Sequence, residues 1–313
     1  GLYTVIGDKI DDAYIKCVLG EQLDLGDISE EAKNVSIVYS PFHGAGYKIV
    51  PRVLEAIGAN VTVQPDQAVP DGDFPTLKSP NPEEREGLSM SIELAEKIGS
   101  DLVIATDPDA DRCAVAVIMP DGTVELLSGN QIGVLLCDFI AQNLRSNGRL
   151  PQNAAVISTI VSTLMIKKVC ADNNIKYFEV LTGFKYIGEM IAEFEKTGDY
   201  TFLLGFEESF GYLKGTYARD KDSVVAAMLI TQMAMFYKNK HMNLKQAMDE
   251  LYKKYGWFAE KTVSFSISGA QPMEQVGRIM KSLRDSNDSD VAGTDIICLR
   301  DYKLRQIRNF CTG

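Results

Sequence analysis

The stretch LVIATDPDADRCAVAVI, Leu102–Ile118, decides how the rest of the chain is read. It opens on Leu102-Val103-Ile104-Ala105, a continuous apolar run suited to a central strand. A second apolar run, Cys113–Met119, reads as another strand, and Pro120-Asp121-Gly122-Thr123 as the turn after it. Between the two strands, Thr106-Asp107-Pro108-Asp109-Ala110-Asp111-Arg112 sets three carboxylates at alternating positions. Open α/β sheets place ligands at the carboxyl ends of their strands. Alternate side chains of an extended or turning segment can converge on one cation, and an all-oxygen donor set selects a hard ion such as Mg²⁺ over zinc. The plainer alternative is a solvated acidic turn, although like charges crowded this closely cost energy unless a cation or protons relieve them. An EF-hand calcium loop is excluded. It needs glycine at its sixth position and glutamate at its twelfth, and Arg112 and Ile118 stand there instead. The guanidinium of Arg112 suits a bidentate grip on phosphate, or a salt bridge to one of the aspartates, and both roles can coexist.

On the N-terminal side, Val35–Tyr39 reads as a buried strand, Gly46–Ile57 as a helix ended by Gly58, and Val61–Val63 as a short strand. Gln64–Arg85 holds five prolines and no obvious helix, a long loop read chiefly as structural packing. Leu88–Ile98 is an amphipathic helix stopped at Gly99. On the C-terminal side, helices are expected over Gln131–Asn143, Thr163–Asn173, Lys185–Lys196 and Ser223–Tyr237. Strands Ala155–Ser158, Tyr177–Val180 and Tyr200–Leu204 alternate with them. This alternation implies two consecutive three-layer α/β domains with mainly parallel mixed sheets, 1–126 and 127–256. An incomplete segment, 257–313, follows, with alternation over Trp257–Ser268, a helix at Met273–Leu283, a polar loop at Arg284–Asp290 and a strand starting at Ile296–Leu299.

Four further motifs carry polar chemistry. Gly205-Phe206-Glu207-Glu208-Ser209-Phe210-Gly211-Tyr212 follows a strand, and its carboxylates and hydroxyl suit sugar hydroxyls, or simply a polar loop with a helix cap. Ala218-Arg219-Asp220-Lys221-Asp222 offers two cations for a phosphate or for its own aspartates. In Leu181-Thr182-Gly183-Phe184-Lys185, Thr182 is either a helix cap or a ligand contact. Pro41-Phe42-His43-Gly44-Ala45-Gly46 lacks a full dinucleotide or phosphate-loop pattern and reads as structural.

The 313 residues are 45% apolar and 24% charged, ordinary for a globular protein, and long enough for two or three domains. No apolar run reaches the roughly 18 residues that span a bilayer, and Gly1-Leu2-Tyr3 does not open like a signal peptide. A net charge of −11 argues against nucleic acid as a partner. The six cysteines are scattered without a C-x-x-C pair, which suits reduced, buried thiols in a cytoplasmic protein; Cys298 within Ile296–Leu299 is one example.

Taken in order, YSPFHGAG, FPTLKSPNPEE, ATDPDADR, LTGFK, GFEESFGY and ARDKD resemble the α-D-phosphohexomutase superfamily in its phosphoglucomutase-like branch, across most of residues 35–225. The resemblance implies four domains, with the second supplying a metal loop and the third reading the sugar. It assigns one Mg²⁺ to Asp107, Asp109 and Asp111, with a phosphoserine as the remaining ligand. Arg112 would contact the transferring phosphoryl group, and Lys221 is a candidate for acid–base assistance. Glu207 and Ser209, helped by Thr182 and Gly183, would bind the sugar. The partner is then a small phosphosugar, and the full enzyme would take a glucose 1,6-bisphosphate-type activator. The family's phosphoserine loop and its arginine-serine-glycine-threonine phosphate loop do not occur in this chain. Gly1 is therefore expected to open the second domain and Gly313 to fall inside the fourth, in a piece that is inactive alone. Interconversion of glucose 1-phosphate and glucose 6-phosphate is the leading expectation. Phosphomannomutase, phosphopentomutase and a non-catalytic metal- or phosphosugar-binding protein remain the alternatives.

Overall fold

The computed structural model describes residue 2 and residues 4–260, 271–286, 290–291 and 293–310. It contains two compact units, residues 1–259 and 260–313. The larger begins with helices α1 (Asp8–Leu19) and α2 (Glu30–Lys33). Strand β1 (Ser36–Ser40), α3 (Ile49–Ala56), β2 (Asn60–Val63), α4 (Arg85–Ile98), β3 (Leu102–Thr106), β4 (Cys113–Ile118) and β5 (Val124–Leu127) follow. These five strands form one sheet in the order β2-β1-β3-β4-β5. Pairs β1–β2 and β1–β3 are parallel, while β3–β4 and β4–β5 are antiparallel.

Sequence alternation shows how this sheet is covered. Ile37, Tyr39, Leu102 and Ile104 point into the main core. Their neighbours Val38, Val103 and Ala105 point the other way, onto Leu88, Ile92 and Ala95 of α4. A strand with both faces buried has no polar alternation, which is why Leu102–Ala105 reads as an unbroken apolar run. Gly99 ends α4 in the left-handed conformation, φ 70°, which glycine adopts without steric cost.

A second sheet is built from α5 (Gly129–Ser146), β6 (Ala154–Thr159), α6 (Met165–Asp172), β7 (Lys176–Val180), α7 (Phe184–Thr197), β8 (Thr201–Phe206) and β9 (Tyr212–Leu213), with strand order β7-β6-β8-β9. β6 pairs parallel with β7 and β8, and β9 returns antiparallel on β8. Helices α8 (Ser223–Lys238) and α9 (Leu244–Tyr255) close the unit. Apart from its half-exposed Phe236 and Lys238, α8 is buried on every side, as its apolar sequence requires, and it packs on both α3 and α5. One continuous core therefore runs from Ile15 to Tyr255. The expected division at residue 126 falls between β4 and α5, within β5.

The proposed helix over Gly46–Ile57 is two pieces, a 3₁₀ turn at Ala45–Tyr47 and then α3. Helices α1 and α9 and the short strands β5 and β9 were not anticipated from the pattern. Gln64–Arg85 has no α-helix before Arg85, only a 3₁₀ turn at Pro65–Gln67. The smaller unit holds α10 (Pro272–Asp285), β10 (Asp290–Val291) paired with β11 (Thr294–Asp295), and β12 (Cys298–Asp301) paired with β13 (Gln306–Asn309). Its strand starts two residues later than Ile296, and Cys298 is exposed rather than buried. Cys17 is exposed too, whereas Cys113, Cys137 and Cys170 are buried free thiols. Residues 257–260 form no strand, 261–268 of the expected alternation and 287–289 of the expected loop lie outside the described residues, as does Cys311. No helix among the described residues is long and apolar enough to cross a membrane.

Candidate metal and sugar-phosphate site

The acidic loop leaves the end of β3 as a tight turn and returns into β4. Asp107 anchors it: one carboxylate oxygen accepts the amides of Asp111 and Arg112 at 3.1 and 2.9 Å, and the other accepts Nε of Arg112 at 2.7 Å. Burial pushes the Asp107 carboxyl above its ordinary range, against the opposing pull of these Arg112 contacts. Asp109 is exposed, and Asp111 is half-buried. One oxygen from each of Asp107, Asp109 and Asp111 can be chosen so that all lie within 4.8 Å of one another. Three hard donors at that separation fit a divalent cation of the Mg²⁺ class.

Packing beneath the loop explains two glycine-rich motifs. The amide of Ala45 donates to the carbonyl of Pro108 at 2.8 Å, and a Cβ at Gly44 would lie 2.3 Å from Pro108 Cα. The HGAG turn is thus a seat for the acidic loop. His43, buried at 5% exposure, bonds Val69 and Thr76 and so ties the seat to the proline-rich segment. That segment also reaches the site directly, because Nη1 of Arg112 donates to Asn81 at 3.1 Å and meets Glu83 at 3.3 Å. Packing was the expected role of Gln64–Arg85, and its orientation of Arg112 was missed.

The second sheet brings its own loop to the same place. Arg112 forms a β-bridge with Gly211, and the amide of Cys113 donates to the carbonyl of Phe210 at 2.9 Å. The Gly205–Tyr212 loop and the acidic loop are therefore backbone neighbours. Glu207, 5% exposed, accepts the Gly183 amide on one carboxylate oxygen at 2.9 Å. Its burial raises its pKa, opposed by that amide and by nearby Lys221. Glu208 turns the other way, to Thr159 at 3.1 Å and Ser162 at 3.5 Å, fastening the loop to the end of β6. Ser209, between Glu208 and Phe210 on the same loop, is half-buried. Below, a Cβ at Gly129 would sit 2.0 Å from the Glu208 carbonyl oxygen, so the start of α5 supports the loop at closest range.

Lys221 stands between the two loops. Its ammonium lies 2.6 Å from Asp111 and 3.3 Å from Asp220. Burial pulls its pKa down, but these acidic contacts outweigh that and raise it. Its stem crosses Gly211, where a Cβ would lie 2.3 Å from Cδ. Arg219 takes a different direction, onto Glu195 and the carbonyls of Thr216 and Ala218. Asp222 does not pair with Lys221; it caps α8. Thr182 is exposed and is not a helix cap, since Gly183 at φ 118° occupies that position with no side-chain bond. The site thus gathers Asp107, Asp109, Asp111, Arg112, Lys221, Gly183, Glu207 and Ser209, with Thr182 on the adjoining turn.

Comparison with known proteins shows the family. The description "Phosphoglucomutase/phosphomannomutase, alpha/beta/alpha domain II" matches residues 12–118, and "alpha/beta/alpha domain III" of the same family matches residues 128–255. A phosphoglucomutase of Staphylococcus haemolyticus is 32% identical over 287 residues, covering 91% of this chain and 51% of that protein. The chain spans about half the length of the curated relatives it matches. Among solved structures, a phosphoglucomutase/phosphomannomutase family protein from Burkholderia thailandensis superposes with a TM-score of 0.59 at 18% identity, over 77% of this chain and 46% of that one. The N-acetylphosphoglucosamine mutase of Aspergillus fumigatus, solved with GlcNAc-6P and magnesium, gives 0.53 at 13% identity, over 82% and 52%. At these identities the structural likeness speaks to fold alone.

Proposed function

Since the chain belongs to the phosphoglucomutase/phosphomannomutase family, carrying its domains II and III, we propose that it forms the metal- and sugar-reading part of a phosphosugar mutase interconverting hexose 1-phosphate and hexose 6-phosphate, with glucose the preferred sugar. Residues 1–126 and 127–256 would be its second and third domains. The observation that carries this reading is the join between the two loops. The Arg112–Gly211 bridge and the 2.9 Å bond from Cys113 to Phe210 join the acidic loop to the loop that carries Glu207 and Ser209, and Lys221 pairs with Asp111.

Asp107, Asp109 and Asp111 would hold Mg²⁺, which when bound supplies charge neutralisation for a transferring phosphoryl group. Arg112, oriented by Asp107, Asn81 and Glu83, offers its guanidinium to the phosphoryl oxygens. Lys221 brings a cation and a candidate proton donor to the same place. Glu207 keeps one oxygen on Gly183 and has the other to accept a sugar hydroxyl, while the Ser209 hydroxyl can donate or accept. The reaction proposed for the whole protein passes a phosphoryl group from a phosphoserine to the sugar monophosphate. The bisphosphate then reorients and returns its other phosphoryl group, so the 313-residue chain alone would not turn over.

Activity of the full-length protein on glucose, mannose and deoxyribose phosphates, parent against Asp109→Ala, tests the reading. A preference for glucose phosphate is expected, with at least about a hundredfold loss of turnover in the variant, the scale of a lost electrostatic stabiliser. Near-normal turnover without the Asp109 carboxylate would refute the metal assignment, and a preference for mannose or deoxyribose phosphate would move the assignment to phosphomannomutase or phosphopentomutase.

A further inference from the structure

The turn bearing the three aspartates has a sterically costly residue at its centre. Ala110, between Asp109 and Asp111, sits at φ 58°, in the left-handed region where a Cβ crowds its own backbone. A residue stays there only when its surroundings over-determine it. Within the loop, the Ala110 amide donates to the Asp107 carbonyl at 3.0 Å. From outside, the Ala110 carbonyl is gripped by one residue of the second sheet's domain. The Ser223 hydroxyl donates to it at 2.5 Å, and the Ser223 amide at 3.2 Å.

Ser223 is itself immobilised. It is the first residue of the 16-residue α8 and is 1% exposed. The preceding Asp222 accepts the amides of Val224 and Val225 at 2.8 and 3.3 Å, capping the helix. The other Asp222 oxygen accepts the hydroxyls of Tyr14 and Tyr217, each at 2.6 Å. The Asp222 amide donates to the carbonyl of Tyr212, at the end of the sugar-reading loop. The donor that holds Ala110 is therefore fixed to a buried helix and to the neighbouring loop at once.

We propose that Ser223 is a positioning residue for the metal loop: through its hydroxyl bond to the Ala110 carbonyl it keeps the left-handed turn that aims Asp109 and Asp111 at a common point. This rests on the reading of Asp107, Asp109 and Asp111 as metal ligands. Without the hydroxyl, Ala110 relaxes toward ordinary backbone angles for part of the time. The metal-competent loop becomes a smaller fraction of the population, and apparent affinity falls by that fraction.

The test is Mn²⁺ titration of the 313-residue chain, followed by the electron-paramagnetic-resonance signal of free Mn²⁺, for the parent, Asp109→Ala, Ser223→Ala and the double variant Ala110→Gly/Ser223→Ala. The parent is expected to bind, and Asp109→Ala to remove that binding. Ser223→Ala is expected to bind about three- to tenfold more weakly, the range spanned by one net hydrogen bond. Adding Ala110→Gly should restore affinity to within about twofold, because glycine adopts the left-handed turn without steric cost. Loss of helix or core stability alone would not be rescued at residue 110. Unchanged affinity in Ser223→Ala, or a double variant as weak as the single one, overturns the proposal. A parent that shows no Mn²⁺ binding sensitive to Asp109 overturns the metal reading itself, a distinct outcome. If the alanine variant fails to fold by circular dichroism, Ser223→Cys, similar in volume but a weaker donor, is read in the same way against its own Ala110→Gly partner.

Discussion

At the scale of single residues, the site consists of polar groups whose burial is offset by specific partners. Glu207 shows the cost. Its carboxyl is buried, and one backbone amide and the charge of Lys221 do not fully compensate, so its pKa is raised. A carboxyl with a raised folded pKa binds more protons in the folded than in the unfolded chain between the two values, so stability falls as pH rises through that window. Glu207→Gln keeps an oxygen for the Gly183 amide and removes the buried charge. It is expected to raise the urea midpoint at pH 7.5, with the gain shrinking toward pH 4.5 as the parent's Glu207 becomes protonated. A gain that is the same at both pH values would contradict this account of Glu207. The convergence of Asp107, Asp109 and Asp111 was anticipated from their alternate spacing, and one oxygen of each lies within 4.8 Å of the others. Ser223 was not legible, since a serine at the start of a helix reads as a capping residue. Its bond to Ala110 crosses 113 positions of sequence.

At the scale of elements, turns set the geometry. The apolar pattern located β1, β3, α4, α7 and α8 to within a few residues, because α4 and α7 each bury one apolar face while β1, β3 and α8 are apolar almost throughout. It missed α1, which buries only Ile15 and Val18, α9, which is polar on average, and β9, which has two residues and is defined by its pairing with β8. The glycines of the HGAG and GFEESFGY loops carried a signal that sequence could not resolve: they are small because another group lies against them, the Pro108 backbone at Gly44 and the side chains of Tyr39, Ile187 and Lys221 at Gly46, Gly205 and Gly211. Gly44 makes the point, with φ −106°, an angle open to any residue, yet no room for a side chain. A Cβ there would overlap Pro108 Cα and carbonyl oxygen at 2.3 and 2.4 Å, and backbone cannot yield as a flexible side chain can. Gly44→Ala is therefore expected to displace the acidic loop and to weaken Mn²⁺ binding about tenfold or more, with about 1–3 kcal/mol of stability lost to overpacking. Isothermal titration and urea unfolding measure the two effects. Parent-like values in both would show that the seat under Pro108 does not set the loop.

At the scale of the whole molecule, helix α8 unites the two sheets. Its sides fill the core between α3 and α5, its first residue Ser223 holds Ala110, and Lys221, two residues before it, reaches Asp111. Alternating strands and helices revealed two α/β layers systems, but not that their strand-end loops meet, because no local pattern encodes the Arg112–Gly211 bridge. That link is a backbone contact between residues 99 positions apart. The central claim is that Asp107, Asp109 and Asp111 form one centre with Glu207 and Ser209. Crystals of the protein grown with Mn²⁺ and glucose 1,6-bisphosphate, with anomalous scattering recorded at the manganese edge, test it most directly. The account predicts an anomalous peak at bonding distance from one oxygen of each of the three aspartates, with the sugar hydroxyls on Glu207 and Ser209. A metal peak elsewhere with the triplet turned to solvent, or a sugar bound away from Glu207 and Ser209, would contradict it.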